Sequence, residues 1–284
     1  MLAKQSKLYM STRYARAVWI GLAGLSSCQW VEYSPNQTYL PVAERAQTAR
    51  NLARLRETAS PSTDTVRFVF IGDTQRFYDE TERFVQSVNQ QRGIDFVFVA
   101  GDISDFGLTR EFRWVHQRLQ QLRVPYLTVV GNHDLVGNGR AIYQAMYGPL
   151  NYTFRYQGTQ FVCLDTNGRE YGFNGRVPDV DWLHTQLQDT VGTRRSVVIS
   201  HVPPMDEDFD STLVAPYTAA VRQYGPRLAL HLSAHVHRFT AGQPYHDGIT
   251  YLTTYSLAKH RYHIITLWGK RQFRLETVQY GPQA

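Results

Sequence analysis

Side chains that can bind metals follow five short apolar runs of this sequence, at points where strands would end. The five segments are Gly72-Asp73-Thr74-Gln75, Gly101-Asp102-Ile103-Ser104-Asp105, Gly131-Asn132-His133-Asp134, Ser200-His201 and Ala234-His235-Val236-His237. Carboxylate, amide oxygen and imidazole together suit divalent transition metals better than calcium. The chemistry that these residue types indicate is therefore metal-dependent.

Seven of these side chains are candidate metal ligands, which is more than one ion needs. They are Asp73, Gln75, Asp102, Asn132, His201, His235 and His237. This number fits two ions that share a bridging carboxylate. A glycine in front of a ligand lets two backbones approach a small cluster closely, because it has no side chain. A single Asp or His at a strand end is most often only a turn residue, so the prediction depends on the whole set.

The ligands can meet only if the strands before them lie side by side. The apolar runs Val66–Ile71, Phe96–Ala100 and Tyr126–Val130 are separated by helical patterns near residues 79–91 and 109–122. Alternation of strand and helix predicts a parallel sheet that is buried on both faces. In such a sheet, the loops after the carboxyl ends of the strands line a common crevice.

The later runs predict a second sheet. Val197–Ile199 and Leu228–Leu232 are again short and apolar, whereas Ile249–Thr254, His263–Trp268 and Phe273–Tyr280 alternate without helical spacers. The C-terminal three predict a separate, antiparallel-leaning sheet. The predicted fold is an α/β four-layer α/β/β/α sandwich, with two mixed sheets flanked by helices and the metal site at the carboxyl ends of the strands.

The order of the five segments resembles that of the calcineurin-like metallophosphoesterases, from about Val66 to His237. The segment that begins at Gly131 is the most specific of the five. Leu164-Asp165-Thr166-Asn167, Gly175 and Asp181-Trp182-Leu183 are also similar to the class III cyclic nucleotide phosphodiesterase branch, although Leu183 and Leu187 fit the core face of any helix. The resemblance implies hydrolysis of a small phosphorylated substrate, with a phosphodiester favoured over a monoester or pyrophosphate.

The resemblance also implies a role for each site residue. The first ion would be held by Asp73, Gln75, Asp102 and His237, and the second by Asp102, Asn132, His201 and His235. The ions would be Mn, Fe or Zn, and a hydroxide that bridges them would be the nucleophile. Two catalytic residues are implied besides the ligands. His133 would contact the phosphoryl oxygen or protonate the leaving oxygen, and Asp134 would orient His133.

Three positions depart from the pattern of the family. Gln75 stands where histidine is usual, and a neutral amide binds a transition ion less strongly than imidazole. Ala234 replaces a glycine, which is a small change. Asp105 occupies the position of the tyrosine that binds ferric iron in purple acid phosphatases, so a ferric site is disfavoured. The Gln75 departure motivates an alternative from another class, a non-catalytic envelope lipoprotein that binds a phosphorylated ligand.

The N-terminus predicts export. Four cations and no acid precede Leu25, and the apolar run 17–25 is far shorter than the roughly 20 residues that span a bilayer. The segment Leu25-Ser26-Ser27-Cys28 resembles the lipobox of bacterial lipoproteins, which predicts a signal peptide over residues 1–27 and a lipid on Cys28. The alternative is an ordinary thiol beside a soluble-type cleavage site. The predicted location is the bacterial cell envelope, bound to a membrane by lipid, and the outer membrane fits this prediction.

The remaining chain divides into a tether and one domain. Residues 28–63 are predicted to form the tether, with a short helix between Val42 and Thr58, and residues 64–284 the metallophosphoesterase domain. Outside residues 1–27 the sequence has 26 of its 30 basic residues and 24 acidic ones, and it has no run of basic residues. It therefore does not indicate a surface that binds nucleic acid. Lipidation of Cys28 would leave Cys163 unpaired, as a buried core thiol. The sequence leaves the oligomeric state open.

Overall fold

Two β-sheets packed face to face form the centre of the chain. A computed structural model describes residue 34, residues 36–58 and residues 64–281. The strands are β1 (Val66–Ile71), β2 (Phe96–Ala100), β3 (Tyr126–Val129), β4 (Tyr152–Tyr156), β5 (Thr159–Leu164), β6 (Arg195–Ser200), β7 (Leu228–Ser233), β8 (Thr240–Gly242), β9 (Tyr251–Thr253), β10 (Arg261–Trp268) and β11 (Gln272–Gln279). The predicted signal peptide and Cys28 lie outside the described residues.

Six α-helices and four short 3-10 helices connect these strands in the described chain. The α-helices are α1 (Gln47–Glu57), α2 (Tyr78–Gln90), α3 (Thr109–Leu119), α4 (Gly139–Met146), α5 (Val180–Gln188) and α6 (Ser211–Gln223). The 3-10 helices are Val42–Glu44, His133–Leu135, Gly168–Tyr171 and Leu257–Lys259. None of the described helices has the length and apolar character that a membrane span requires.

Both sheets are mixed, as the sequence predicted. The first has the order β11-β10-β1-β2-β3, and its β1, β2 and β3 are parallel. The second has the order β4-β5-β6-β7-β9-β8, in which β5, β6, β7 and β9 are parallel and the edge strands β4 and β8 are antiparallel to their neighbours. The predicted order of strand and helix from β1 to β3 is confirmed.

The prediction of a separate C-terminal sheet was wrong. Strand β10 pairs antiparallel with β1, so that Val66 lies opposite Leu267, and β11 continues the first sheet beyond β10. Strand β9 joins the second sheet, parallel to β7. The alternation of apolar and polar side chains showed that these runs are strands. It does not show which strand each of them pairs with, because that depends on which edge of a sheet is still unpaired. The edge of β1 is filled by β10, whose Ile264 and Ile265 are buried on opposite faces of the sheet.

Aromatic side chains fill the space between the two sheets. Phe68 and Phe96 stack with ring centroids 5.1 Å apart, and Phe161 from the second sheet meets them edge-on at 5.7 and 5.4 Å. Cys163 lies in the same layer as a buried free thiol, as predicted. Helices α2, α3 and α4 cover the outer face of the first sheet, and α5 and α6 cover that of the second. The four-layer α/β/β/α sandwich is confirmed.

The described part of the predicted tether packs on the domain. One compact unit begins at Thr38, so it includes α1. The backbone N–H of Thr48 donates to the carbonyl oxygen of Tyr147 at 3.2 Å, and Glu44 pairs with Arg113 through two contacts of 2.6 and 3.0 Å. Leu55 is buried in the layer between the sheets. The helix that the sequence predicted is present, and it forms part of the globular core.

Candidate metal centre

The loops after five strand ends bring the seven candidate ligands together. Asp73 and Gln75 follow β1, Asp102 follows β2 and Asn132 follows β3; the three histidines follow β6 and β7 of the second sheet. Contacts between 3.1 and 3.3 Å connect them into two groups. The crevice therefore lies where both sheets present the carboxyl ends of their parallel strands, and Asp102 belongs to both groups.

The first group consists of Asp73, Gln75, Asp102 and His237. One ligand atom each from Asp73, Asp102 and His237 lies within 4.8 Å of the others. The Nε2 atom of His237 is 3.1 Å from Oδ1 of Asp73, and the Nε2 of Gln75 donates to Oδ2 of Asp102 at 3.2 Å. This geometry places two carboxylates, an amide and an imidazole around one point.

Two oxygen atoms of this group are buried without a hydrogen-bond or ion-pair partner among the described residues. They are Oδ2 of Asp73 and Oε1 of Gln75, whereas Oδ1 of Asp73 faces the imidazole of His237. Burial of a polar oxygen that accepts no hydrogen bond is unfavourable, so such atoms are normally paired or coordinate a metal. A divalent cation satisfies both oxygens at once. The residues present therefore fit the metal that the donor types predict.

The second group consists of Asp102, Asn132, His201 and His235. The Nδ1–H of His201 donates to the carbonyl oxygen of Ala100 at 2.7 Å, which fixes the orientation of the ring. Its Nε2 then faces three atoms: Oδ1 of Asn132 at 3.1 Å, Oδ1 of Asp102 at 3.3 Å and Nδ1 of His235 at 3.3 Å. Convergence of four electron-pair donors on one point is typical of a cation site.

The charges of this group interact strongly. Burial on its own lowers the pKa of His201, but the adjacent Asp102 carboxylate more than offsets this and raises that pKa to about 10. Burial on its own raises the pKa of Asp102, but His201 and His133 together lower it by more, so the pKa lies below its usual value. Burial and the charge of His201 lower the pKa of His235. The imidazole of His201 and the carboxylate of Asp102 therefore each favour the charged form of the other.

Unusual backbone conformations position the ligands. Asp73, Asp102, His235 and His237 have positive φ angles of 53°, 55°, 68° and 55°, a region that side chains other than glycine rarely adopt. Such strain persists only where the surrounding structure imposes it, and it concentrates at functional sites. The predicted role of glycine is also observed at Gly131, because a Cβ atom there would lie 2.1 Å from Oδ1 of Asp102.

The structure changes the predicted role of Asp134, which was to orient His133. The carboxylate of Asp134 is fully buried and accepts hydrogen bonds from the backbone N–H groups of Ile103, Ser104 and Gly131 at 2.8 to 2.9 Å. It holds two of the site loops together. The prediction that Asp134 orients His133 was wrong, because Nδ1 of His133 bonds to the backbone of Asp105 instead. Burial and the charge of Asp102 raise the pKa of Asp134 to about 7.

Asp105 takes the orienting role instead. The Nδ1 of His133 lies 2.8 Å from the backbone carbonyl oxygen of Asp105 and 3.7 Å from its carboxylate. The His133 side chain is 36% exposed, so its imidazole borders the crevice.

Two carboxylates that the sequence analysis did not single out approach His235. The Nε2 of His235 lies 3.4 Å from Oδ1 of Asp206 and 3.3 Å from Oδ2 of Asp208. Together the three residues form a further group that could hold a metal ion. These carboxylates sit within a loop and not at a strand end, so the pattern used for the other ligands did not find them. The available signal was the Asp-x-Asp spacing of Asp206 and Asp208, one residue after the Pro203-Pro204 pair.

The comparisons with known proteins agree with the fold and with the motifs. The family model described as Calcineurin-like phosphoesterase matches residues 66–239, which is more than half of the chain. The chain therefore belongs to the calcineurin-like phosphoesterase family. Phosphoesterases of this family use divalent metals, and the structure contains side-chain groups that could hold them, among them Asp73, Asp102 and His237.

Two curated relatives are phosphodiesterases by name. The chain is 29% identical over 146 residues to the glycerophosphodiester phosphodiesterase GpdQ of Enterobacter lignolyticus, covering 45% of this chain and 50% of the relative. It is 28% identical over 85 residues to a probable cyclic nucleotide phosphodiesterase of Xenorhabdus bovienii, covering 28% of this chain and 34% of the relative. The matches thus span half or less of each relative.

Solved structures show the same fold at low sequence identity. The purple acid phosphatase PPD1 of yellow lupin superimposes with a TM-score of 0.57 at 13% identity, covering 78% of this chain and 52% of that one. A structure of PhoD gives a TM-score of 0.54 at 11% identity, with coverages of 78% and 70%. At such identities the likeness concerns the fold alone.

Proposed function

We propose that this protein is a metal-dependent phosphoesterase that uses two divalent transition ions to hydrolyse a phosphate ester, with a phosphodiester as the favoured substrate class. The observation that carries the proposal is the set of buried, unpartnered oxygens of Asp73 and Gln75 beside the shared carboxylate of Asp102. The names of the two curated relatives support the preference for a diester.

The seven side chains would act as the ligands of this centre. Asp73, Gln75 and His237 would hold one ion, Asn132, His201 and His235 the other, and Asp102 both. Ions at these positions would activate water as the nucleophile and neutralise charge on the non-bridging phosphoryl oxygens. The chain supplies the rigidity of the arrangement, because His201 is fixed by Ala100 and the Asp102 loop by its positive φ and by Gly131.

His133 would act on the substrate. Its backbone N–H donates to Oδ1 of Asp102 at 3.1 Å, and its Nδ1–H donates to the carbonyl oxygen of Asp105. The half-exposed ring therefore directs Nε2 to the substrate side. As an imidazolium with a second proton on Nε2, it would either donate a hydrogen bond to a phosphoryl oxygen or transfer that proton to the leaving oxygen.

Purified protein, stripped of metal and then loaded with Mn²⁺, Zn²⁺ or Fe²⁺, tests the proposal. Hydrolysis of an aryl phosphodiester, an aryl phosphomonoester and a cyclic nucleotide would be measured for each metal. Metal-dependent turnover, strongest with a diester, is expected. No turnover with any metal, together with retained binding of inorganic phosphate, would favour a non-catalytic binding protein. Turnover that survives Asp102→Ala would contradict the assigned site.

We also propose that the protein is exported and attached to the bacterial envelope through a lipid on Cys28. The support is the segment Leu25-Ser26-Ser27-Cys28 after a short apolar run. Fractionation of cells that express the wild type or Cys28→Ser tests this. The wild type is expected in the membrane fraction, and Cys28→Ser in the soluble fraction. Cys163→Ser is the matched control, because its thiol is buried in the core. Membrane retention of Cys28→Ser would overturn the proposal.

A further inference from the structure

The two ring nitrogens of His235 face different surroundings. Nδ1 points into the metal centre, 3.2 Å from Oδ1 of Asn132 and 3.3 Å from Nε2 of His201. Nε2 points out of it, toward the carboxylates of Asp206 and Asp208 at 3.4 and 3.3 Å. His235 therefore lies between the proposed metal centre and a pair of acids in the loop after β6.

This placement determines which nitrogen would carry the proton. An imidazole that binds a cation through Nδ1 keeps its proton on Nε2, and that proton needs an acceptor. Metal-binding histidines usually donate this N–H to a carboxylate or carbonyl oxygen, which fixes the ring and makes it a stronger ligand. A carboxylate at 3.3 Å from Nε2 meets this requirement.

Asp208 is held in place more firmly than Asp206. Its side chain is only 6% exposed and forms an ion pair with Arg169. Its backbone N–H donates to Oδ1 of Asp206 at 3.0 Å, and its carbonyl oxygen accepts from the N–H of Arg169 at 3.1 Å. Asp206 thus caps the turn, while Asp208 presents a fixed carboxylate to the imidazole.

A third metal ion at this place fits the geometry less well. Asp206, Asp208 and His235 offer ligand atoms within 4.8 Å of one another. An ion there would have to share His235 with the main centre, which requires the imidazole to lose both of its protons. The guanidinium of Arg169 already pairs with Asp208 and would repel the ion.

We infer that Asp208 is a positioning residue for the metal centre: fixed by Arg169, it accepts the Nε2–H of His235 and thereby directs Nδ1 to the second ion. This inference rests on the proposed function. It links the 3-10 helix Gly168–Tyr171, which carries Arg169, to a metal ligand on the second sheet. Contacts would then run from Arg169 to Asp208 and from Asp208 to His235. Through them, the affinity for the second ion would depend on a loop that contributes no metal ligand of its own.

Mn²⁺ binding to the metal-free full chain tests the inference, with free Mn²⁺ counted by electron paramagnetic resonance. The wild type is expected to bind two ions. In Asp208→Ala the second ion is expected to bind about 10- to 100-fold more weakly, with the first unchanged. Asp208→Asn, whose amide oxygen still accepts from Nε2–H, is expected to recover most of this loss. Glu82→Gln is the matched control, since it removes the same charge from an exposed side chain on α2.

The other outcomes separate the inference from the proposed function. Two ions bound by Asp208→Ala with wild-type affinity would overturn the inference alone. A third ion in the wild type that only Asp208→Ala loses would also overturn it, in favour of a separate metal site. Fewer than two ions in the wild type would overturn the proposed function itself. If thermal unfolding shows that Asp208→Ala does not fold, Asp208→Asn and Arg169→Gln provide the test. Both are expected to lower the affinity for the second ion by a smaller factor. Unchanged affinity in both variants overturns the inference.

Discussion

His133 is oriented by the backbone of Asp105, because its Nδ1 lies 2.8 Å from the Asp105 carbonyl oxygen and 3.7 Å from the carboxylate of the same residue. The carboxylate itself forms an ion pair with Arg76. An orienting contact made by the main chain survives substitution of the side chain. The imidazole of His133 is therefore held by the shape of the loop after β2 more than by the charge at position 105.

Activity is accordingly expected to depend on His133 much more than on the Asp105 side chain. His133→Ala should lower kcat for an aryl phosphodiester by about 10²- to 10⁴-fold, the usual contribution of a proton-transferring group, with Mn²⁺ affinity unchanged. Asp105→Asn should lower it less than tenfold. Steady-state kinetics at saturating metal measure both. A larger loss in Asp105→Asn than in His133→Ala would contradict the main-chain orientation.

We expect Gln75 to limit the affinity for the first ion of the proposed centre. Its Nε2 donates to Asp102 at 3.2 Å and its Oε1 is buried without a hydrogen-bond partner, so a neutral amide oxygen is the atom offered to the metal. Gln75→His replaces it by imidazole, which suits transition ions better. The variant is expected to bind the first Mn²⁺ at least several-fold more tightly, and Gln75→Leu more weakly. Titration of metal-free protein gives both affinities. Equal affinities in all three proteins would show that residue 75 does not contact the ion.

The sequence predicted the parts of the structure that depend on local pattern. Val66–Ile71 and Phe96–Ala100 form strands with the predicted bounds, because buried parallel strands are continuous apolar runs. The candidate ligands could be chosen because each follows such a run. The rule that parallel strand ends share one crevice then predicts their meeting, and contacts such as that of Asn132 with His201 at 3.1 Å agree with it.

Features that depend on long-range pairing could not be predicted in this way. Whether β10 pairs with β1 or starts a new sheet is decided by which edge remains open, and alternation carries no information about that. The same holds for Asp134 and Asp208. Asp134 directly follows His133 in sequence, yet its carboxylate bonds to backbone N–H groups of two loops. Asp208 reaches His235 only because the loop after β6 lies beside the loop after β7.

Gly131 is required for the close approach of two site loops. A Cβ at this position would lie 2.1 Å from Oδ1 and 2.2 Å from the backbone nitrogen of Asp102. Gly131→Ala should therefore displace Asp102, cost about 1 to 3 kcal/mol of stability and abolish tight binding of both ions. Gly242→Ala is the matched control, since a Cβ there would meet nothing within 4 Å. Chemical denaturation and metal titration measure the two effects. Wild-type metal binding in Gly131→Ala would refute the argument.

Neighbouring arginines that share one partner provide a test of the fold at the end of the sandwich away from the metal centre. Arg195 is fully buried and pairs with Asp64 at 3.0 Å, whereas the side chain of Arg194 is 66% exposed and pairs with the same carboxylate at 3.2 Å. Removal of Arg195 leaves Asp64 and the carbonyl oxygen of Gly269 without their buried partner. Arg195→Met should cost about 1 to 3 kcal/mol, through the acceptors that it leaves unpaired, and Arg194→Met less than about 1 kcal/mol. Urea unfolding of the two variants compares them; equal losses would contradict the role of burial.

His231 should make the metal-free protein less stable in acid. It is fully buried in β7, its Nε2 lies 2.7 Å from the hydroxyl of Tyr217, and burial lowers its pKa from 6.5 to about 3. Between these values the unfolded chain binds a proton that the folded chain does not, so the free energy of unfolding falls as the pH is lowered through this window, by at most about 1.4 kcal/mol per pH unit for this group. Above pH 6.5 the contribution is constant. His231→Gln keeps an acceptor for Tyr217 but has no group that titrates. The free energy of unfolding of both proteins is measured from pH 4 to 7 with EDTA present. As the pH is lowered, that of His231→Gln should decline less steeply than that of the wild type. Parallel curves for the two proteins would show that His231 is not the group responsible.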